Sequence, residues 1–241
     1  LAAIREEMAS LGLEQKLYEV PSPRGVDVHC SVSFDYGNKK ELWLSANYDT
    51  FEFFPSGNNN GSGVVALALL ANQLKRTSLP VNVRIFYFYA SLDPALGDGR
   101  RDTDFKPGSE LLVHHLMDTD IEFIDLYAGL IAVQAVGKGN LCVFQTSGRH
   151  NQNTSRLNSA LRAYGQSART PVELKENSPL ADHVSFLKEG LEGTVIARYS
   201  ESAWHKFQTR TDDLTNVSVR DVNDTMSFIY GFLTTFKAEA T

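Results

Sequence analysis

The chain has 241 residues, 42% of them hydrophobic, and a formal net charge of −6. That length and apolar content bury a sizeable core and predict one α/β domain spanning residues 1–241. Lysines and arginines are dispersed, which leaves no electrostatic footprint for nucleic acid, and no run approaches the roughly 18 apolar residues of a membrane span.

Leu1, Ile4, Met8 and Leu11 recur at helical spacing and predict a short amphipathic helix stopped by Gly12. The chain opens on Leu1 and not on Met, which leaves room for a removed leader or upstream segment. "EQKLYEV" (14–20) and "VDVHCSVSF" (26–34) flank the turn signal "PSPRG" and predict an antiparallel strand pair. "ELWLSANYD" (41–49) reads as a buried strand, "GSGVVALALLANQLKRT" (61–77) as an apolar helix and "VNVRIFYFYAS" (81–91) as a central parallel strand. Together they predict a β-loop-α-β crossover. Residues 92–109 carry no period and read as a surface loop. "ELLVHHLMD" then predicts a helix, with His114 and His115 on its surface or in packing. "LIAVQAV" and "LCVFQTS" predict strands around a "GKGN" turn, and "TSRLNSALRAYG" a helix capped by Thr154 or Ser155. "ADHVSFLKEG" is a helix closed by Gly190, "EGTVIARYS" a strand and "SVRDVNDTMSFIYGFLTTF" a long last helix. The alternation predicts an α/β sandwich.

Cys30 and Cys142 each lie in an apolar run and read as buried free thiols, with one bridge as the alternative. Sequons at Asn60, Asn153, Asn216 and Asn223 matter only in a eukaryotic secretory setting and leave the compartment open.

In open α/β sheets ligands bind beyond the carboxyl ends of the strands. The candidates are therefore Asn47, Asp49, the 57–62 loop, Ser91 to Asp93, Gln134, and Trp204 with His205. "NYD" (47–49), "NNGSG" (59–63), "FYFYASLD" (86–93) followed by "GSELLV" (108–113), "VQAVG" (133–137), "ADH" (181–183) and "WHKFQTRTDDL" (204–214) form an ordered set. Over roughly residues 40–236, that order and spacing resemble the zinc aminopeptidases related to bacterial leucyl aminopeptidase, glutamate carboxypeptidase and glutaminyl cyclase, whose non-catalytic relatives include nicalin and transferrin receptor. The resemblance implies a three-layer α/β/α sandwich around a central mixed, mostly parallel sheet, and it favours a secreted, periplasmic or lumenal setting.

Carried over position by position, the family's first zinc-binding His falls on Asn47 and its bridging Asp on Asn59. The general-base Glu and the adjacent ligand Glu fall on Ser91 and Leu92, and a later ligand Asp on Gln134. Of the zinc ligands only the last His is kept, as His205. Two Zn²⁺ ions bring four positive charges that neutral amides do not offset, and Leu92 cannot ligate. No cofactor is therefore expected. The alternative is one divalent metal on His205 with Asp49, Asp93 or Asp182.

Each candidate also has a plain structural role. Asp49 fits hydrogen bonding within its loop, Asn58 to Asn60 fit turn and helix-start chemistry, Asp182 and His183 fit a helix start, and Trp204 fits packing. A Ser91–His205 nucleophile pair lacks the Gly-x-Ser-x-Gly elbow that would support it. Three functions follow. The first is a binding or structural module on the zinc-aminopeptidase fold, meeting a peptide, an amino-acid-like ligand or a protein partner. The second is a metal-free enzyme whose Asn47, Asn59 and Gln134 stabilise developing charge, with Ser91, Asp93 and His205 as the catalytic candidates. The third is a one-metal hydrolase.

Overall fold

A computed structural model describes residues 1–22, 25–50, 54–89, 107–145, 155–176, 181–207 and 209–238. Its centre is an eight-stranded sheet whose strands are β1 (Gln15–Ser22), β2 (Gly25–Phe34), β3 (Glu41–Asn47), β4 (Asn82–Phe88), β5 (Tyr127–Gln134), β6 (Asn140–Gln145), β7 (Glu173–Glu176) and β8 (Gly193–Tyr199), ordered β1-β2-β4-β3-β5-β8-β6-β7. The run β4-β3-β5-β8 is parallel throughout, and antiparallel pairings join β1 to β2, β2 to β4 and β6 to β8. The predicted pair of strands at 14–20 and 26–34 forms in the expected sense. The strands predicted around "GKGN" both form, and β8 lies between them in the sheet.

The two faces of the sheet differ in chemistry. Residues of β3 and β5 alternate, so Leu42, Leu44, Ile131 and Val133 face one layer while Trp43 and Leu130 face the other. The first layer is largely aliphatic and holds α1 (Ala2–Ser10), α2 (Gly63–Leu74), α5 (Ser155–Ser167) and α8 (Val219–Thr235). In the second layer lie α3 (Pro107–Thr119), the short α4 (Phe123–Leu126) and α6 (His183–Lys188), packed on an aromatic cluster. There Trp43 meets Phe86, Phe123, Tyr127 and Phe186 at centroid distances of 4.7 to 5.8 Å. Its indole N–H donates to Glu41, whose carboxylate also pairs with Arg84 at 3.0 Å. The ion pair thus sets opposite charges side by side next to a buried ring.

Helix stops follow the sequence where glycine supplies the backbone. Gly12 and Gly190 both take positive φ just past their helices, as their positions predict. Thr154, one of two candidate caps for α5, lies outside the described residues; Ser155 is the first residue of that helix. Cys30 and Cys142 are both free and buried, so the bridge alternative fails. No described helix is long and apolar enough to cross a membrane.

Candidate functional site

β3 and β5 are buried along their whole length and end side by side at Asn47 and Gln134. The chain leaves β3, and residues 57–62 return as a tight coil before α2 begins at Gly63. Gly63 permits the close approach: a Cβ there would stand 2.3 Å from Asn60 Oδ1 and 2.4 Å from the Val133 carbonyl.

Asparagine side chains fasten this coil to the strand ends. Asn60 Nδ2 donates to Asn47 Oδ1 at 3.1 Å and to the Val133 carbonyl at 2.9 Å, while its Oδ1 accepts from the Ala135 N–H at 3.0 Å. Asn59 Oδ1 accepts from Gln134 Nε2. Asn58 Oδ1 accepts from the Gly137 N–H at 2.7 Å and from Ser62 Oγ at 3.1 Å, leaving Nδ2 without a partner among the described residues. Asn47 Nδ2 points to the carbonyl and the carboxylate of Asp49 at 3.4 and 3.3 Å, so the aspartate side chain meets the amide that ends β3. Amides serve here because each carries both a donor and an acceptor, so one side chain can join two others without net charge.

A carboxylate that the sequence reading passed over closes the network. Asp212 is fully buried, accepts from the backbone N–H groups of Asn58 and Asn59 at 3.1 and 3.0 Å, and takes a third bond from Asn216 Nδ2 at 2.9 Å. Its own carbonyl accepts from Gly57 N–H at 2.6 Å. Its signal in the sequence is "TRTDDL", the acidic end of "WHKFQTRTDDL".

The other candidates divide. Asp182 stands at the start of α6, as expected, without a side-chain cap bond; its Oδ2 accepts from Ser45 Oγ at 3.3 Å, two residues before Asn47 on the same strand face. His183 is fully buried, packed against Gly193. Trp204 stacks on Phe144 at 5.5 Å and donates its indole N–H to the Arg198 carbonyl, which makes it a packing residue. His205 is not brought to the cluster: its side chain is 78% exposed and Nε2 faces Glu201 at 3.7 Å. A short helix, α7 (Glu201–Trp204), precedes it and turns it outward. Ser91, Leu92 and Asp93 lie outside the described residues, so the Ser91–His205 pairing and a metal role for Asp93 find no geometry here. His114 is a surface residue, bonded to Glu189 at 2.9 Å.

A two-zinc centre does not fit these residues. The amide oxygens of Asn47 and Asn59, where the sequence resemblance implies ligands, already accept hydrogen bonds from Asn60 and Gln134, and neither these amides nor that of Gln134 brings charge to offset a metal. Among the described residues no three His, Cys, Asp or Glu side chains converge on a point that could hold an ion.

Residues 31–230 match the family model described as Peptidase family M28. The fold is similar to a glutaminyl cyclase of Bacteroides thetaiotaomicron crystallised with N-acetylhistamine, with a TM-score of 0.80, 14% identity, and coverage of 98% of this chain and 88% of that one. It is also similar to a leucine aminopeptidase precursor from the same organism (TM-score 0.78, 14% identity, 98% and 88% covered). The LapA aminopeptidase of Legionella pneumophila gives a TM-score of 0.74 at 15% identity; there 99% of this chain covers 62% of the other. At these identities the likeness carries the fold and nothing finer. No curated protein matches the sequence.

Proposed function

Because the chain belongs to peptidase family M28, we propose that it is a member that has given up two-zinc hydrolysis and keeps the fold as a binding or structural module. What supports the reading is one observation. Asn47, Asn59 and Gln134, on which the sequence resemblance puts ligand positions of the zinc aminopeptidases, bond to amides, Asn59 to Gln134 and Asn47 to Asn60. In a two-zinc peptidase, carboxylates and imidazoles at such positions offset the metal charge and a nearby carboxylate activates a water. Here the same positions form a neutral clasp between the coil and the sheet. The partner expected of such a module is a peptide, an amino-acid-like ligand or a protein, in a secreted, periplasmic or lumenal setting.

Elemental analysis of protein purified without chelator tests the reading. Far less than one zinc per chain is expected, with a melting temperature that EDTA leaves unmoved to within about 1 °C. Two zinc ions bound per chain, or a large drop in melting temperature on chelation, would sink it.

A further inference from the structure

A second polar corner lies on the aliphatic face of the sheet. A cavity of about 710 Å³ opens between the end of α5, the middle of α8 and the first residues of β6 and β7, within the size range of small-molecule sites. Arg198 lines it. On β8, Ile196 packs in the aliphatic core, and by strand alternation Arg198 shares its face. Gln134 projects from the opposite face with Leu130 and Ala132, so cavity and amide clasp are separate.

Arg198 is 8% exposed. Its Nε donates to Thr225 Oγ1 at 2.8 Å, and its Nη1 donates to the Gly139 carbonyl at 2.8 Å and stands 3.6 Å from Asp221. Among the described residues none accepts from Nη2. A guanidinium has five N–H donors in a rigid fork, and Arg198 lines the cavity without its Nη2 being among the buried unpaired groups, so those donors are open to whatever fills the space. Glu173 and Asp224 bring carboxylates to the same cavity, and Tyr164 and Phe228, 5.1 Å apart, form an apolar wall. The carboxylates already pair on the rim, Glu173 with Lys175 at 2.7 Å and Asp224 with Arg220 at 3.5 Å, and exposed pairs of this kind rearrange at little cost.

An isolated anion here would meet two carboxylates, and an isolated cation would meet the guanidinium. A molecule carrying both charges a few bonds apart answers each. We propose that this cavity binds a small zwitterion of the α-amino-acid type with an apolar side chain. Its carboxylate is held by Arg198, its ammonium lies toward Glu173 and Asp224, and its side chain packs on Tyr164 and Phe228. This site does not rest on the amide clasp or on the loss of zinc.

Titration calorimetry on the intact chain with leucine, leucinamide and N-acetylleucine tests it. Leucine binds, and the two derivatives, each lacking one charge, bind at least about tenfold more weakly. Ser227 is exposed and lines the cavity, so Ser227→Trp fills the space without disturbing the core and weakens leucine binding by about tenfold or more. Arg198→Lys keeps the cation, removes the fork and does the same, while Asn59→Ala leaves binding unchanged. No heat with leucine, leucinamide equal to leucine, or full affinity in both cavity variants would overturn the proposal. Loss of binding in Asn59→Ala alone would also overturn it, by moving the ligand to the other face.

Discussion

The coil at residues 57–62 and the corner at Arg198 are both built from buried polar groups around the ends of one sheet, yet they are finished differently. At the coil, amides answer amides: Asn60 bridges Asn47 to the end of β5, Gln134 meets Asn59, and Asp212 takes two backbone N–H groups. At the corner, an arginine anchors α8 through Thr225 and keeps donors in reserve beside an open cavity. A network whose side chains hold backbone groups of two elements together fixes structure, while a guanidinium beside an open cavity offers chemistry to a ligand. Position at a strand end is thus not enough to mark a site.

The most direct way to break that contrast is to open the coil. Asp212→Ala leaves the N–H of buried Asn58 and half-buried Asn59 without acceptors, and about 4 kcal/mol of stability should go, read by urea denaturation. A loss below about 1 kcal/mol would mean that water replaces the carboxylate and that the network is not closed.

A buried group outside both regions gives a control with a pH signature. His29 is fully buried on β2, its Nδ1 accepts from the Tyr89 N–H at 3.2 Å, and burial lowers its pKa from 6.5 to about 4. The folded state therefore holds His29 neutral while the unfolded chain takes up a proton below pH 6.5. Its contribution, roughly 3 kcal/mol, is fully present above pH 6.5 and is lost as pH falls toward 4. His29→Leu should flatten that slope in chemical denaturation measured between pH 7 and 4; an unchanged slope would assign it to other groups.

Gly63→Ala sharpens the contrast from the side of geometry. The added methyl meets Asn60 Oδ1 and the backbone oxygen of Val133, and only the first can move. A cost of about 2 kcal/mol is expected, with Asn60 displaced. The same substitution should leave leucine binding at the Arg198 cavity untouched, and a parallel loss there would show that the two regions are coupled.

Much of this fold is legible in the sequence because its strongest signals are local. The largely apolar runs of β3, β4 and β5 read as covered strands, and the turn signal "PSPRG" predicts the pairing of β1 with β2. The insertion of β8 between β5 and β6 was not legible, since strand order depends on contacts between residues 53 to 63 apart in the chain. Strand β7 was missed because "ELKE" is charged and half exposed, and its pairing with β6 gives it order that propensity does not. At the site, Asn47, Asn59 and Gln134 were found by motif order. Their direct and shared contacts could not be, because hydrogen-bond partners are fixed by tertiary geometry. His205 shows the reverse failure: residue type suggested a ligand, and one turn of helix α7 put it in solvent.

The two cysteines add a practical handle. Burial pushes the Cys142 thiol up to about 12 and raises that of Cys30, so neither presents an accessible thiolate near neutral pH. They lie on strands in different parts of the sheet, Cys30 on β2 and Cys142 on β6. A thiol reagent should then be silent toward the native protein and report only openings of the sheet, with each cysteine timing its own end. The chain carries two internal clocks for local unfolding, and an engineered surface cysteine could be labelled beside them without competition.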